Sequence, residues 1–165
     1  MKRQIKFRGK RTDTGEWVFG LYFTTPLTAE YDIKPENGAF FDCGRGTRRH
    51  VIADENGCVF DVIPETVGQF TGLCDATRWE DLTKEERGRW AFDGTIQGEW
   101  KGREIYEDDI AKWIDSDRNE RIDTVSWRNG GMILCNNWYT VGAYLSNRLK
   151  IIGNIHDNKD LLTTK

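Results

Sequence analysis

A chain of 165 residues with 38% hydrophobic and 31% charged side chains can bury a real core, as one domain or as two small ones. Its net charge of −3 excludes a general nucleic-acid or anionic-membrane binder, and no apolar run approaches the roughly 20 residues of a membrane span. Seven Trp, eight Phe and five Tyr supply large buried area per residue and offset the shortage of Leu, Ile and Val.

In chain order, residues 4–9 alternate, with Ile5 and Phe7 on one face and Lys6 and Arg8 on the other, as in a half-buried strand. Residues 12–15 form a turn with Gly15 available for positive φ. Trp17, Phe19, Leu21 and Phe23 then recur with a period of two, while Val18 and Tyr22 fill the opposite face. This is the strongest strand signal, and it predicts cover on both sides. Residues 24–38 hold Pro26, Pro35 and Asn37-Gly38 and read as a loop, with a short strand at 39–42 and a basic stretch, CGRGTRR, at 43–49. Strands at 50–53 and 58–63 are joined by an Asn-Gly hairpin turn, and Pro64 ends the second.

The segment VGQFTGL at 67–73 suits a short, bent strand bounded by glycines. In REIYEDDIAKW at 103–113, the polar run Glu107-Asp108-Asp109 separates Ile105 from Ile110 and Trp113, predicting strand, turn, strand. Between them, residues 74–101 hold the one convincing helix. Thr83 and Glu86 match a capping box, and Gly88 weakens the helix by about 1 kcal/mol. Residues 95–100 read as a strand, 115–120 as a hairpin loop, 121–127, 132–135 and 149–155 as strands, and 157–162 as a tail.

VGQFTGL, GREIYEDDIAKW at 102–113 and IIGNIHDNKDLL at 151–162 together resemble the YopX-like family of phage and prophage proteins, and IKFRGK at 5–10 is similar to that family's first strand. The resemblance implies a compact, mostly β protein with an SH3-like barrel in its carboxy-terminal half, and it implies no established activity. Two departures stand out. The chain inserts about 25–30 residues where the family has a short linker, longer than an ordinary loop. Asp108 stands where the family generally has Gly.

No stretch carries a complete catalytic or metal signature. Asp115, Asp117 and Asn119 occupy alternating positions of a calcium loop, but Glu120 and Ser126 stand where Gly and a bidentate Glu belong, so a polar hairpin is expected. Cys43, His50, Cys58 and Cys74 lack the tight pairs of structural zinc sites. With Cys135, the cysteines are expected as free thiols in a reducing cytosol. Adjacent acids at 107–109 point to opposite faces of a strand and suit a turn better than a catalytic pair.

Charge is uneven, with 10 Lys/Arg against 6 Asp/Glu in residues 1–50 and 14 against 21 in the remainder. Lys6, Arg8, Arg45, Arg48 and Arg49 are candidate anion or nucleic-acid contacts, provided the 43–49 loop folds over the first strand. Trp79, Trp90 and Trp100 in the insertion, with Trp138 and Tyr139, are candidate anchors for a protein partner, since aromatics dominate interface hot spots.

The expected fold is therefore mainly β with one short inserted helix: an amino-terminal β region, 1–66, and an SH3-like barrel, 67–165, interrupted by the insertion at 74–101. The expected role is a non-catalytic phage or prophage accessory protein in the bacterial cytoplasm. It needs no cofactor or metal and binds a host or defence protein or its own copy. The alternative is a nucleic-acid-binding regulatory module.

Overall fold

The computed structural model describes residues 5–26, 48–92, 99–128, 131–134, 139–142 and 146–163. It is mainly β, built from antiparallel strands, with one α-helix of nine residues among the described residues. The chain divides into two compact units, Lys6–Val67 and Gly68–Lys165, the latter joined by Met1–Ile5. The strand expected at 39–42 lies outside the described residues, as does most of that expected at 95–100.

In the amino-terminal unit, β1 (Phe7–Lys10), β2 (Trp17–Pro26), β3 (Arg48–Ala53) and β4 (Val59–Asp61) lie in the order β4-β3-β2-β1. The Asp54 carboxylate accepts the Asn56 and Cys58 N–H groups at 2.9 and 2.8 Å, closing the Asn-Gly turn between β3 and β4. After β4 the chain returns to β1. Thr12 N–H donates to the Asp61 carbonyl at 3.0 Å, Ile63 N–H donates to that of Lys10 at 2.8 Å, and Arg11 bridges to Val62. The sheet thus curls around Ile52 and Val62, both buried. Gly9 lets the strands close, because a Cβ there would stand 3.2 Å from both Ile52 and Val62.

The alternating pattern of β2 is observed, but its expected cover on both sides is not. Phe19, Leu21 and Phe23 are 43%, 56% and 37% exposed. A period of two reports which side chains share a face; whether that face is covered depends on elements distant in sequence.

In the carboxy-terminal unit, β5 (Gly68–Cys74) pairs with β6 (Glu104–Tyr106). A five-stranded sheet follows in the order β10-β9-β8-β7-β11, from β7 (Asp109–Ile114), β8 (Glu120–Arg128), β9 (Gly131–Leu134), β10 (Tyr139–Thr140) and β11 (Leu149–Asn154). One face of this sheet presents Ala111, Trp113, Val125, Leu134, Leu149 and Ile151 to a core that also takes Ile105. Tyr139, a candidate partner anchor, sits in β10 opposite Leu134.

The turns explain the acidic runs. Asp115 accepts the N–H groups of Asp117 and Asn119 and the Arg121 Nε, each at 2.8–2.9 Å, so its carboxylate closes the β7–β8 hairpin. Between β6 and β7, Asp108 adopts φ 67°, the left-handed conformation that Gly takes most readily and Asp tolerates better than most residues. The turn between β6 and β7 thus takes a backbone conformation that favours Gly with Asp in place.

Candidate functional site

The insertion is fixed to the carboxy-terminal unit by a chain of polar contacts. Asp75, 4% exposed, accepts four hydrogen bonds. Its Oδ1 takes the N–H groups of Thr77 at 2.9 Å and Arg103 at 2.8 Å. Its Oδ2 takes the Thr77 hydroxyl at 2.7 Å and the Ile151 N–H at 2.8 Å. A buried carboxylate needs such partners to offset lost hydration. The same contacts occupy an N–H of the sheet-edge strand β11. Gly102 at φ 103° allows the close approach, since any Cβ there would collide with the Asp75 carbonyl.

A single 3₁₀ turn, Trp79–Asp81, comes next. Asp81 accepts the Arg78 N–H at 3.1 Å and Lys150 Nζ at 2.8 Å. The Lys150 contact, followed by the Arg78 backbone, lowers the Asp81 pKa to about 2. Helix α1 (Lys84–Phe92) opens on the expected capping box: Thr83 Oγ1 accepts Glu86 N–H at 3.2 Å, and Glu86 Oε2 accepts Thr83 N–H at 2.8 Å. Arg103 then ties the helix to the sheet, donating to Glu86 Oε1 at 2.6 Å and to the Ile151 carbonyl at 2.9 Å.

Upon this support sit two of the sequence-predicted anchors. Trp79 and Trp100 meet edge to face with centroids 5.8 Å apart. Trp100 Nε1 donates to the Thr77 carbonyl at 2.8 Å, so its polar handle is satisfied and its ring direction set. Both rings are half-buried. Beside them an open cleft of about 370 Å³ is bordered by Thr77, Arg78, Glu80 and Lys101. The arrangement offers aromatic surface and both signs of charge around an open cleft.

The other predicted anchors separate. Tyr139 is 47% exposed and packs edge to face on Trp113 at 5.0 Å. The Trp90 side chain and Trp138 lie outside the described residues. Trp127 is 43% exposed and was missed as a surface residue. Its place at the end of a strand, just before the Asn-Gly-Gly turn, is the signal that could have marked it.

The predicted cationic residues belong to the amino-terminal unit and are engaged there. The Arg8 guanidinium, 8% exposed, lies 4.8 Å from the Trp17 ring centre, and Lys10 Nζ lies 5.5 Å from the same ring. Lys6 Nζ stands 5.6 Å from the Phe19 ring. Arg49 forms a two-pronged pair with Asp61 at 2.8 and 2.5 Å, which raises the Arg49 pKa and lowers that of Asp61. Arg48 is exposed and donates to Thr24 Oγ1 at 3.3 Å, and Arg45 lies outside the described residues. Lys6, Arg8 and Lys10 thus share a face with Trp17 and Phe19, whereas Arg49 is spent on Asp61.

The acidic turn resolves into separate tasks. Asp109, 1% exposed, accepts Tyr106 N–H at 2.7 Å. Asp123, fully buried, accepts Trp113 Nε1 at 2.9 Å. Asp108 Oδ2 meets His156 Nε2 at 3.2 Å, and the Asp108 carbonyl accepts Ile155 N–H at 3.0 Å, closing β11 onto the β6–β7 turn. Sequence proximity of Asp108 and Asp109 does not become convergence on one atom. No group of three or more His, Cys, Asp or Glu side chains among the described residues is placed to hold a metal ion, and no described helix is long and apolar enough to cross a membrane.

Residues 97–163 match the family model described as YopX protein, and no curated protein matches the chain. The matched segment contains β6 to β11, and the stretches 5–10 and 67–73 lie outside it.

Proposed function

We propose, from the match of residues 97–163 to the YopX family model, that the protein is a non-catalytic phage or prophage accessory protein that binds another protein, a host or defence component, in the bacterial cytoplasm. The observation that carries this reading is the Trp79–Trp100 pair beside an open, charge-bordered cleft. Aromatic anchors on a rigid support lose little entropy on binding, and function concentrates on loops held by a scaffold. The contacts from Asp75, Asp81 and Arg103 supply that rigidity. The cations favour protein over nucleic acid as the partner, since Arg8 is buried against Trp17 and Arg49 is paired with Asp61.

Affinity capture from bacterial lysate with intact protein, with Trp79→Ala/Trp100→Ala, and with the surface variant Lys101→Glu tests the reading. The expected result is one or a few partners whose recovery falls about ten-fold or more in both variants while thermal melting of Lys101→Glu is unchanged. Equal capture by all three proteins removes the cleft as the contact. Salt-sensitive binding of labelled DNA or RNA, abolished by Arg48→Ala, would put nucleic acid in its place. Hydrolase or nuclease turnover lost on Asp108→Ala or Asp109→Ala would overturn the non-catalytic reading.

A further inference from the structure

The five-stranded sheet ends on two unequal strands. At one end β10 has two residues, too few to template a further strand; at the other β11 has six. One side of β11 pairs with β7, where Leu149 stands opposite Trp113 and Ile151 opposite Ala111. The other side turns main-chain N–H and C=O groups outward, and a row of such groups recruits any chain that can add a strand.

That row is occupied, and mostly by side chains. The Leu149 carbonyl accepts Ala76 N–H at 2.8 Å. Ile151 N–H donates to Asp75 Oδ2 at 2.8 Å, and the Ile151 carbonyl accepts Arg103 Nη1 at 2.9 Å. Asn154 N–H donates to Asn158 Oδ1 at 3.3 Å. A carboxylate, a guanidinium and an amide thus stand where a neighbouring strand would offer carbonyls and N–H groups. Asp75 and Arg103 are also tied to each other, since Asp75 Oδ1 takes the Arg103 N–H at 2.8 Å. Lys150, between Leu149 and Ile151, binds Asp81 at 2.8 Å and holds the 3₁₀ turn to the same strand.

We propose that Asp75 and Arg103 form an edge guard that closes β11 against strand addition by a second copy of the chain. The excluded partner is β11 of that copy. Identical edges can pair antiparallel about a two-fold axis, and each supplies the N–H and C=O groups that the guard now satisfies. Burial of the carboxylate makes the guard hard to displace. A strand taking its place would strip Asp75 of donors among the four it now accepts and leave a charge poorly compensated. The guard does not depend on what the Trp79–Trp100 cleft binds. It gives the two ends of the insertion a task distinct from carrying that pair.

Sedimentation velocity of the full chain carrying Asp75→Ala/Arg103→Met tests this, read beside hydrogen exchange of the β11 amides at low and high protein concentration. The double variant should self-associate at least about ten-fold more tightly than the parent. Its Ile151 amide, left without an acceptor, should exchange fast when dilute and slowly once copies assemble. Arg103→Met alone opens only the Ile151 carbonyl and should lie between parent and double variant. Val125→Ala, which weakens the core without touching the edge, should associate no more than the parent. A folded double variant no more associated than the parent overturns the proposal. So does equal association of Val125→Ala, which traces assembly to lost stability, and so does assembly that leaves Ile151 exchange unchanged. If the double variant does not fold, Arg103→Met decides on the same criteria.

Discussion

The Arg103 guanidinium meets Glu86 Oε1 at 2.6 Å across 17 residues of chain, and Glu86 is at the same time the reciprocal member of the helix capping box. One carboxylate thus starts the helix and fastens it to the sheet. Arg103→Met should leave the β core intact and loosen α1. Both partners are about one-third exposed, so the expected cost is only about 1 kcal/mol. Hydrogen exchange should show faster exchange in Lys84–Phe92 with little change in β7 and β8. Uniform loss of protection would mean that the helix and sheet unfold as one cooperative unit.

Asp75→Asn should be far more damaging. The side chain accepts four hydrogen bonds while almost fully buried, and an amide in its place turns one accepting oxygen into a donor facing donors. Leaving buried N–H groups without an acceptor costs about 2–3 kcal/mol. Urea unfolding should show this as a lower midpoint with an unchanged slope. A shift below about 0.5 kcal/mol would show that the network is not a stability determinant.

Asp108 combines a left-handed backbone, φ 67°, with a side-chain contact to His156 at 3.2 Å. Asp108→Ala loses the contact and keeps an unfavourable backbone, so it should cost about 1–2 kcal/mol. Asp108→Gly loses the same contact but relieves the backbone by about 1 kcal/mol, and should lie near the parent. Thermal melting of the two variants side by side distinguishes them. Equal melting temperatures would exclude backbone strain as the deciding factor.

The Asp81–Lys150 pair sets an acid dependence. Asp81 titrates at about 2 in the folded chain, against 3.8 for an ordinary aspartate. A lowered folded pKa gives stability that is complete above the unfolded value and disappears as pH falls through the folded one. The parent should therefore exceed Asp81→Asn in stability at pH 7, and the difference should shrink between about pH 4 and pH 2. Urea midpoints of both proteins across that range check the sign. A gap that widens on acidification would contradict it.

The local features of the chain were legible because their causes are local. Alternation in residues 17–23 placed β2, the Thr83–Glu86 spacing placed the start of α1, and the Asn-Gly turn placed the β3–β4 hairpin. Each depends on backbone geometry repeating over two to four residues. Of the residues singled out as partner anchors, Trp79 and Trp100 came together, and Tyr139 packs edge-on to Trp113 instead.

What sequence alone determined, then, is the kind of element at each position and the identity of the side chains sharing each strand face. Tertiary structure alone decided what those faces meet. Arg8 looked like a surface cation and is buried against Trp17; Leu21 looked like core and is 56% exposed. Asp75, unremarked in the sequence, accepts hydrogen bonds from residues 28 and 76 positions away. The physical reason is that a strand's period is set by its own dihedrals, whereas burial and polar pairing are set by whichever distant segment packs across from it.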